Sequence, residues 1–259
     1  MGMRELTVLA DGEPFAAGIR FRLSGNTAIG LFPSLFTLQA WNLAEKDYNR
    51  LASAKTLSVL QGDSCLAYGA VSDVFRRTVP EGTLTIAAFS LGLDLWEAPV
   101  SLSVEAGASV SGTLSYLLVS SGTGIQLLSF PGNDPVSSRG QAFFGRAAEE
   151  IASALSAASA RAYLVPAGLC VVPEDPLPAT LHLTENDLTD CPMIADKGKK
   201  MILSTTVTGF QPGEEMTLEY EGIRYAGLIL ERMVEADTGP GPWMTQLLVE
   251  LHPQGGEHA

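Results

Sequence analysis

Few residues in this 259-residue chain have types that could do chemistry: three histidines, three cysteines and three pairs of adjacent carboxylates. His182, His252 and His258 are dispersed, with no His-x-x-x-His and no Cys-x-x-Cys. The spacing that lets a helix face or a knuckle grip zinc is therefore missing. Cys191 follows Asp190, which reads as a buried thiol beside a surface acid. No Gly-x-Ser-x-Gly marks a nucleophile turn. Leu91-Gly92-Leu93 lacks a second glycine, and Gly122-Thr123-Gly124 follows a helical pattern where a phosphate loop would open one. Glu149-Glu150, Glu174-Asp175 and Glu214-Glu215 supply carboxylates, but glycoside hydrolysis needs two that face each other across a sugar. Neighbours on a strand or loop point apart, and a helical pair faces water. The sequence thus offers no catalytic residue, no metal ligand set and no cofactor site.

One basic cluster stands out, Lys197-Gly198-Lys199-Lys200, just ahead of an apolar strand. It is either a soluble loop or a contact with an acidic face of a partner or of another copy, which makes Lys197, Lys199 and Lys200 the candidate inter-subunit residues. Its surroundings are acidic. Sixteen Lys and Arg face 29 Asp and Glu, for a net charge of −13, and the isoelectric point is near 4.6. That balance excludes a basic nucleic-acid face and binding to an anionic membrane. Residues 131–259 carry 18 acidic and 8 basic side chains, and no Lys or Arg occurs between Arg77 and Arg139. Trp41, Trp96 and Trp243 could stack on sugars, but one ends a strand and another lies in a Gly/Pro loop, so core and interface roles suit them better.

The elements that position these residues read mainly as strands. With 46 % hydrophobic residues the chain can bury real cores, and its length suits two or three domains of roughly 100–150 residues. Three odd, distant cysteines point to a reducing compartment with buried thiols. No apolar run reaches the roughly 18 residues of a membrane span, and the first residues lack a signal-peptide core, so a cytoplasmic site of synthesis is expected. Glu5–Leu9 alternates before an Asp11-Gly12 turn, and Ile19, Phe21 and Leu23 alternate with Arg20 and Arg22. Leu35–Trp41 is a stronger strand running into Asn42-Leu43-Ala44-Glu45, where Asn42 can cap a short helix and Glu45 can close a capping box. Strands follow at 55–61, 64–76 and 82–90.

The middle changes character. A strand at Pro99–Val104 precedes a helix with Val110, Leu114, Leu117 and Leu118 on one stripe, stopped by Gly122. A strand is expected at 125–130, then a long helix at 141–158 with Phe144, Ala147, Ala148, Ile151 and Leu155 on its apolar stripe. Strands return at 163–165, 169–172, 179–184, 201–208, 215–221, 224–232 and 245–251, and the tail Gln254–Ala259 reads as frayed.

Several of these segments together resemble the baseplate hub (tail hub) proteins of tailed bacteriophages and related contractile particles. Leu35-Phe36-Thr37-Leu38-Gln39-Ala40-Trp41-Asn42-Leu43 is similar to the family's strand ending in an Asn-Leu helix start. Tyr68-Gly69-Ala70-Val71 resembles its step out of the first barrel. Val104-Glu105-Ala106-Gly107-Ala108-Ser109-Val110 through Leu114, and Phe143-Phe144-Gly145-Arg146-Ala147 up to Leu155, look like its two middle segments. Thr208-Gly209-Phe210-Gln211-Pro212-Gly213-Glu214 resembles the closing Pro-Gly turn, although Leu203-Ser204-Thr205-Thr206 replaces the usual Leu-Leu-Asn-Pro ahead of it. The resemblance follows the chain in order over most of its length.

The resemblance implies a mainly β chain with an α/β insert: two tail-tube-like antiparallel β-barrels flanking a middle α+β domain. The expected division is 1–90 for the first barrel, 91–178 for the insert with two helices, and 179–259 for the second barrel and frayed tail. It further implies a non-enzymatic homotrimer, a ring in the virion tail assembled in the bacterial host cytoplasm. Its partners would be the tail tube protein, a spike or tail-tip protein and the tape-measure protein, with DNA only in transit through the lumen and no membrane. The competing reading is a receptor- or carbohydrate-binding tail module.

Overall fold

The computed structural model describes residues 4–15, 18–131, 133–173 and 177–252; the expected frayed tail lies outside the described residues. It divides into two compact units. One comprises Met1–Thr27, Ser34–Ser90 and Ala179–Ala259, the other Ala28–Pro33 and Leu91–Pro178.

The first block alternates as its sequence demands. β1 (Thr7–Ala10) and β2 (Glu13–Phe15) form a hairpin whose turn residues Asp11 and Gly12 both have positive φ, 51° and 80°. Asp11 Oδ1 accepts the Lys55 and Thr56 N–H groups at 2.9 Å each, tying the turn to the strand that follows the helix. β3 (Phe21–Ala28) and β4 (Ser34–Trp41) pair antiparallel, burying Phe21, Leu23, Phe36, Leu38 and Ala40. Gly25 is required there, because a Cβ would collide with the Phe36 ring and the Leu35 carbonyl. α1 (Glu45–Ser53) forms as expected, but Asn42 is not its cap. Asn42 sits at φ 55° and its amide bridges the far hairpin, accepting the Thr83 N–H at 3.0 Å, while Ala44 takes the cap position without a side-chain bond. β5 (Thr56–Gln61), β6 (Ser64–Val79) and β7 (Gly82–Leu91) complete the block.

The second unit holds α2 (Leu93–Glu97), β8 (Pro99–Val104), α3 (Val110–Ser121), β9 (Leu127–Ser129), β10 (Gln141–Arg146), α4 (Ala147–Ser156), β11 (Ala160–Val165) and β12 (Gly168–Pro173). Three helices replace the two expected, since the five-residue α2 is too short to show periodicity. Ser109 caps α3 by accepting the Gly112 N–H at 3.2 Å, and Gly122 ends it at φ 69°. The helix expected at 141–158 is half that element. Its first residues form β10, paired antiparallel with β8, and the helix begins only at Ala147. Backbone pairing with β8 outweighs helical periodicity: Phe143 is buried by alternation and Phe144, assigned to the apolar stripe, is 84 % exposed. Ala147, Ala148, Ile151 and Leu155 do face the core, against Leu114, Leu117 and Leu118 of α3.

The last block supplies β13 (Leu181–Thr184), β14 (Met193–Ala195), β15 (Lys200–Thr205), β16 (Glu215–Tyr220), β17 (Ile223–Asp237) and β18 (Trp243–Leu251) around Leu203, Phe210, Leu218, Ile229, Leu247 and Val249. It joins the first block in one 13-stranded sheet, ordered β14-β15-β18-β17-β3-β4-β7-β6-β5-β1-β2, with β16 on β17 and β13 on β16. The path has two ends, so the described strands form no closed barrel. Its order repeats: β3-β4-β7-β6-β5 in the first block matches β14-β15-β18-β17-β16 in the last, strand for strand. The repeat extends to detail. β6 and β17 are the long strands at 16 and 15 residues, and each carries a register shift midway, between Val71 and Asp73 in one and between Ile229 and Glu231 in the other.

Candidate assembly surface

The two blocks meet where β3 lies against the second half of β17. Phe21 and Thr238 exchange hydrogen bonds, the Thr238 N–H donating to the Phe21 carbonyl and the Phe21 N–H to Thr238 Oγ1, both at 2.9 Å. Arg20 grips Asp237 with a two-pronged contact, Nε to Oδ1 at 3.0 Å and Nη2 to Oδ2 at 2.7 Å. Arg22 reaches Glu235 and Asn26 reaches Glu231, each at 3.4 Å. Donors on and just before β3, two of them arginines, thus face carboxylates on β17.

The Asp237 carboxylate is fully buried and Arg20 is 36 % exposed. Burial alone would raise the Asp237 pKa, but the Arg20 guanidinium and the Gly239 N–H donate to it and hold it below the ordinary value. The loop after β17 is built around this contact. A Cβ at Gly241 would strike the Asp237 carboxylate, and one at Gly239 the Arg20 side chain. Arg20 in turn lies 4.2 Å over the Trp41 ring.

A second tie crosses the blocks deeper inside. Arg232 on β17 is 3 % exposed, and its guanidinium donates to the Phe210 carbonyl at 3.0 Å and to the Leu66 carbonyl of β6 at 2.6 Å. Burial lowers its pKa to about 10, against the pull of Cys65 and Glu214 nearby. Thr208 also hydrogen-bonds Gln61. Sequence reasoning missed Arg232 as a buried residue. Its signal was the alternation that places it with Val234 and Ala236, all buried, while Glu231, Met233 and Glu235 are not.

The basic cluster lies at one end of the sheet. Lys197 and Lys199 are exposed on the tight turn between β14 and β15, where Asp196 and Lys197 have φ of 50° and 55°. Lys200 is half-buried at the start of β15.

The other chemistry-bearing residues stay apart. His182 Nδ1 pairs with Thr217 Oγ1 at 2.7 Å, and His252 Nε2 with Glu215 Oε2 at 2.6 Å. Glu214 accepts the Gln211 N–H at 2.8 Å, and burial raises its pKa. The thiols depart from the expectation of burial. Cys65 and Cys170 are half-buried and Cys191 is exposed, because it precedes an edge strand that nothing described covers. Trp243 is buried, Trp41 lies under Arg20, and Trp96 packs 5.2 Å from Phe32. Glu174 and Asp175 fall outside the described residues.

No family model matches the sequence, and no curated protein matches it. Solved structures do. The chain is similar to a tail protein from Neisseria meningitidis, with TM-score 0.68 at 10 % identity over 95 % of each chain. It is equally similar to the 43 kDa tail protein of prophage MuSo2 from Shewanella oneidensis, with TM-score 0.67 at 10 % identity over 95 % of this chain and 96 % of that one. A third match is an E. coli component of the type VI secretion system, described as structurally similar to the T4 bacteriophage tail proteins gp27 and gp5. Its TM-score is 0.68 at 8 % identity over 96 % of this chain and 77 % of that one. At these identities the likeness is one of fold.

Proposed function

We propose that this chain is a structural hub of a bacteriophage tail or a phage-like particle. Three copies close into a ring that joins the tail tube to the central spike or tail tip. The observation that carries this reading is the repeated strand order, β3-β4-β7-β6-β5 and β14-β15-β18-β17-β16. Each repeat is read as the wall of one tail-tube-type barrel, with the second unit inserted between them. A chain that offers two equivalent barrels supplies two of six positions, so three chains match a sixfold tube on one side and a threefold spike on the other. The shared fold with tail proteins and with the secretion-system component supports the same reading.

The net charge of −13 suits a lumen wall, since a surface that repels phosphate lets DNA or a tape-measure protein slide. Lys197, Lys199 and Lys200 then face an acidic surface on a partner or the next chain. The role is mechanical, without catalysis, and its place is the virion tail after assembly in the host cytoplasm. The three tryptophans do not favour a carbohydrate-binding module: Trp243 is buried, Trp41 lies under Arg20 and Trp96 packs against Phe32.

Light scattering at high protein concentration, alone and with a candidate spike protein, tests the proposal. A discrete species of about 82 kDa, three times the chain's 27.4 kDa, is the expected result. A strict monomer in both conditions overturns it.

A further inference from the structure

The junction between the two blocks has been built once inside the chain, and both halves of a second one stand open. In the built junction, β3 lies along the half of β17 beyond its register shift, and there Arg232, Val234, Ala236 and Asp237 are buried. By the internal repeat, the counterpart of that half-strand is β6 from Asp73 to Val79, and the counterpart of β3 is the segment ending in β14.

Each counterpart has a strand on one side only among the described residues. β5 and the Lys55 carbonyl just ahead of it cover β6 as far as Val71, β7 takes the other side, and Ser72, Asp73, Phe75, Arg77 and Thr78 are all exposed. α1 meets this half through Arg76, which binds Glu45 at 2.6 Å, and takes none of its ladder positions. β14 ends the sheet path. The segment before it already runs along β15, with Leu188 bridging Thr205, as β3 runs along β4. Met193 and Ile194 there are 59 % and 49 % exposed, and Phe75 on β6 is 45 % exposed. Open apolar edges of this kind invite strand addition.

We infer that the β14 edge of one copy pairs with Asp73–Val79 of β6 in the next, reproducing between chains the β3–β17 junction found within one. The inference rests on the hub reading and names the contact that would close its ring. The built junction is antiparallel, with Arg22 opposite Glu235 and Asn26 opposite Glu231. Carried over, that sense runs the segment from Asp190 to Lys197 against the strand from Arg77 back to Asp73, so that opposite charges fall near each other at both ends. Because β14 and the β6 half are different surfaces, the contact is head-to-tail and propagates around a ring. It gives Lys197 a partner and leaves Lys199 and Lys200 outside the pairing.

In that antiparallel sense the native Cys191 falls near Thr78, so Thr78→Cys tests the pairing in the full-length protein by mild oxidation at high concentration. Cross-strand neighbours lie within disulfide reach, whereas Asp63→Cys in the β5–β6 turn lies outside the junction. The expected result is a covalent ladder ending at three chains for Thr78→Cys, at least severalfold stronger than for Asp63→Cys or the unsubstituted protein. Phe75→Asp should abolish that ladder while leaving the circular dichroism spectrum unchanged. Oligomers by light scattering with no preferential Thr78→Cys crosslink would overturn this junction and leave the ring standing. A selective ladder running past three chains without closing would support the junction and refute the ring. A monomer that gives no crosslink at any concentration would overturn both.

Discussion

Replacing Asp237 with Asn tests whether the β3–β17 junction holds the two blocks together. The substitution keeps the shape and removes the charge from a fully buried carboxylate that accepts two hydrogen bonds from Arg20 and one from Gly239. Breaking a fully buried ion pair costs about 3–5 kcal/mol. Arg20 is 36 % exposed, so water recovers part of its solvation and the loss is discounted to about 2–3 kcal/mol. For a chain of this size about 1 kcal/mol shifts Tm by roughly 2–4 °C, which puts the fall near 4–12 °C. The pH dependence gives a second handle. The folded pKa of Asp237 lies below its ordinary 3.8, so the stabilisation is fully present above that value and is lost as the pH falls through the folded pKa. Calorimetry of both proteins at neutral pH and in acid should show a gap that narrows as wild-type Asp237 becomes protonated. Equal melting temperatures at neutral pH, or a gap of constant size down to the most acidic folded state, would refute the reasoning.

Two other substitutions probe separate parts of the fold. Arg232→Met removes the donor from the buried Phe210 and Leu66 carbonyls, each worth about 1–3 kcal/mol if left unpaired, while relieving a desolvated charge. A net loss of about 1–3 kcal/mol by urea denaturation is expected, and a more stable variant would show that the charge costs more than its bonds return. Ile151→Asp places a carboxylate at a position with no exposure on α4 and should cost about 3–5 kcal/mol, whereas exposed Glu149→Gln should stay within about 0.5 kcal/mol. Equal melting temperatures for that pair would mean α4 does not pack on Leu114 and Leu117 as described.

What the sequence disclosed follows a physical line. Elements specified by local periodicity or a local stop were legible: β3 from the alternation of Phe21 and Leu23, and α3 from the stripe of Val110, Leu114, Leu117 and Leu118 ended by Gly122. Elements decided by a distant partner were not. Gln141–Arg146 carries a helical stripe and becomes a strand because β8 offers it a ladder. Asn42 reads as a helix cap and instead bonds Thr83, 41 residues away. β14, three residues long, is defined by β15 and by little of its own pattern. The lysine cluster was visible as a cluster, but its place on an edge-strand turn was not, since nothing local tells an edge from an interior strand.

The same reasoning explains why the internal repeat is absent from the sequence yet clear in the sheet. A β-ladder is made by backbone groups, which every residue except proline supplies, so strand order can persist while side chains diverge. The two register shifts illustrate this: one falls among Val71, Ser72 and Asp73, the other among Ile229, Leu230 and Glu231, with no residue type in common. Side chains instead record which copy of the junction has been filled. Beyond its shift, β17 carries Arg232, Val234, Ala236 and Asp237, types and partners suited to permanent burial. At the matching positions of β6, counted from its shift, Val74 and Arg76 are half-buried and Thr78 is exposed. Asp73, Phe75 and Arg77 match Glu231, Met233 and Glu235, a surface that tolerates water and still offers one aromatic anchor and charges of both signs. A half-strand buried during folding and one buried only on assembly face different demands, because the second must keep the free chain soluble until its partner arrives. The divergence between the two halves is what a contact reserved for assembly requires.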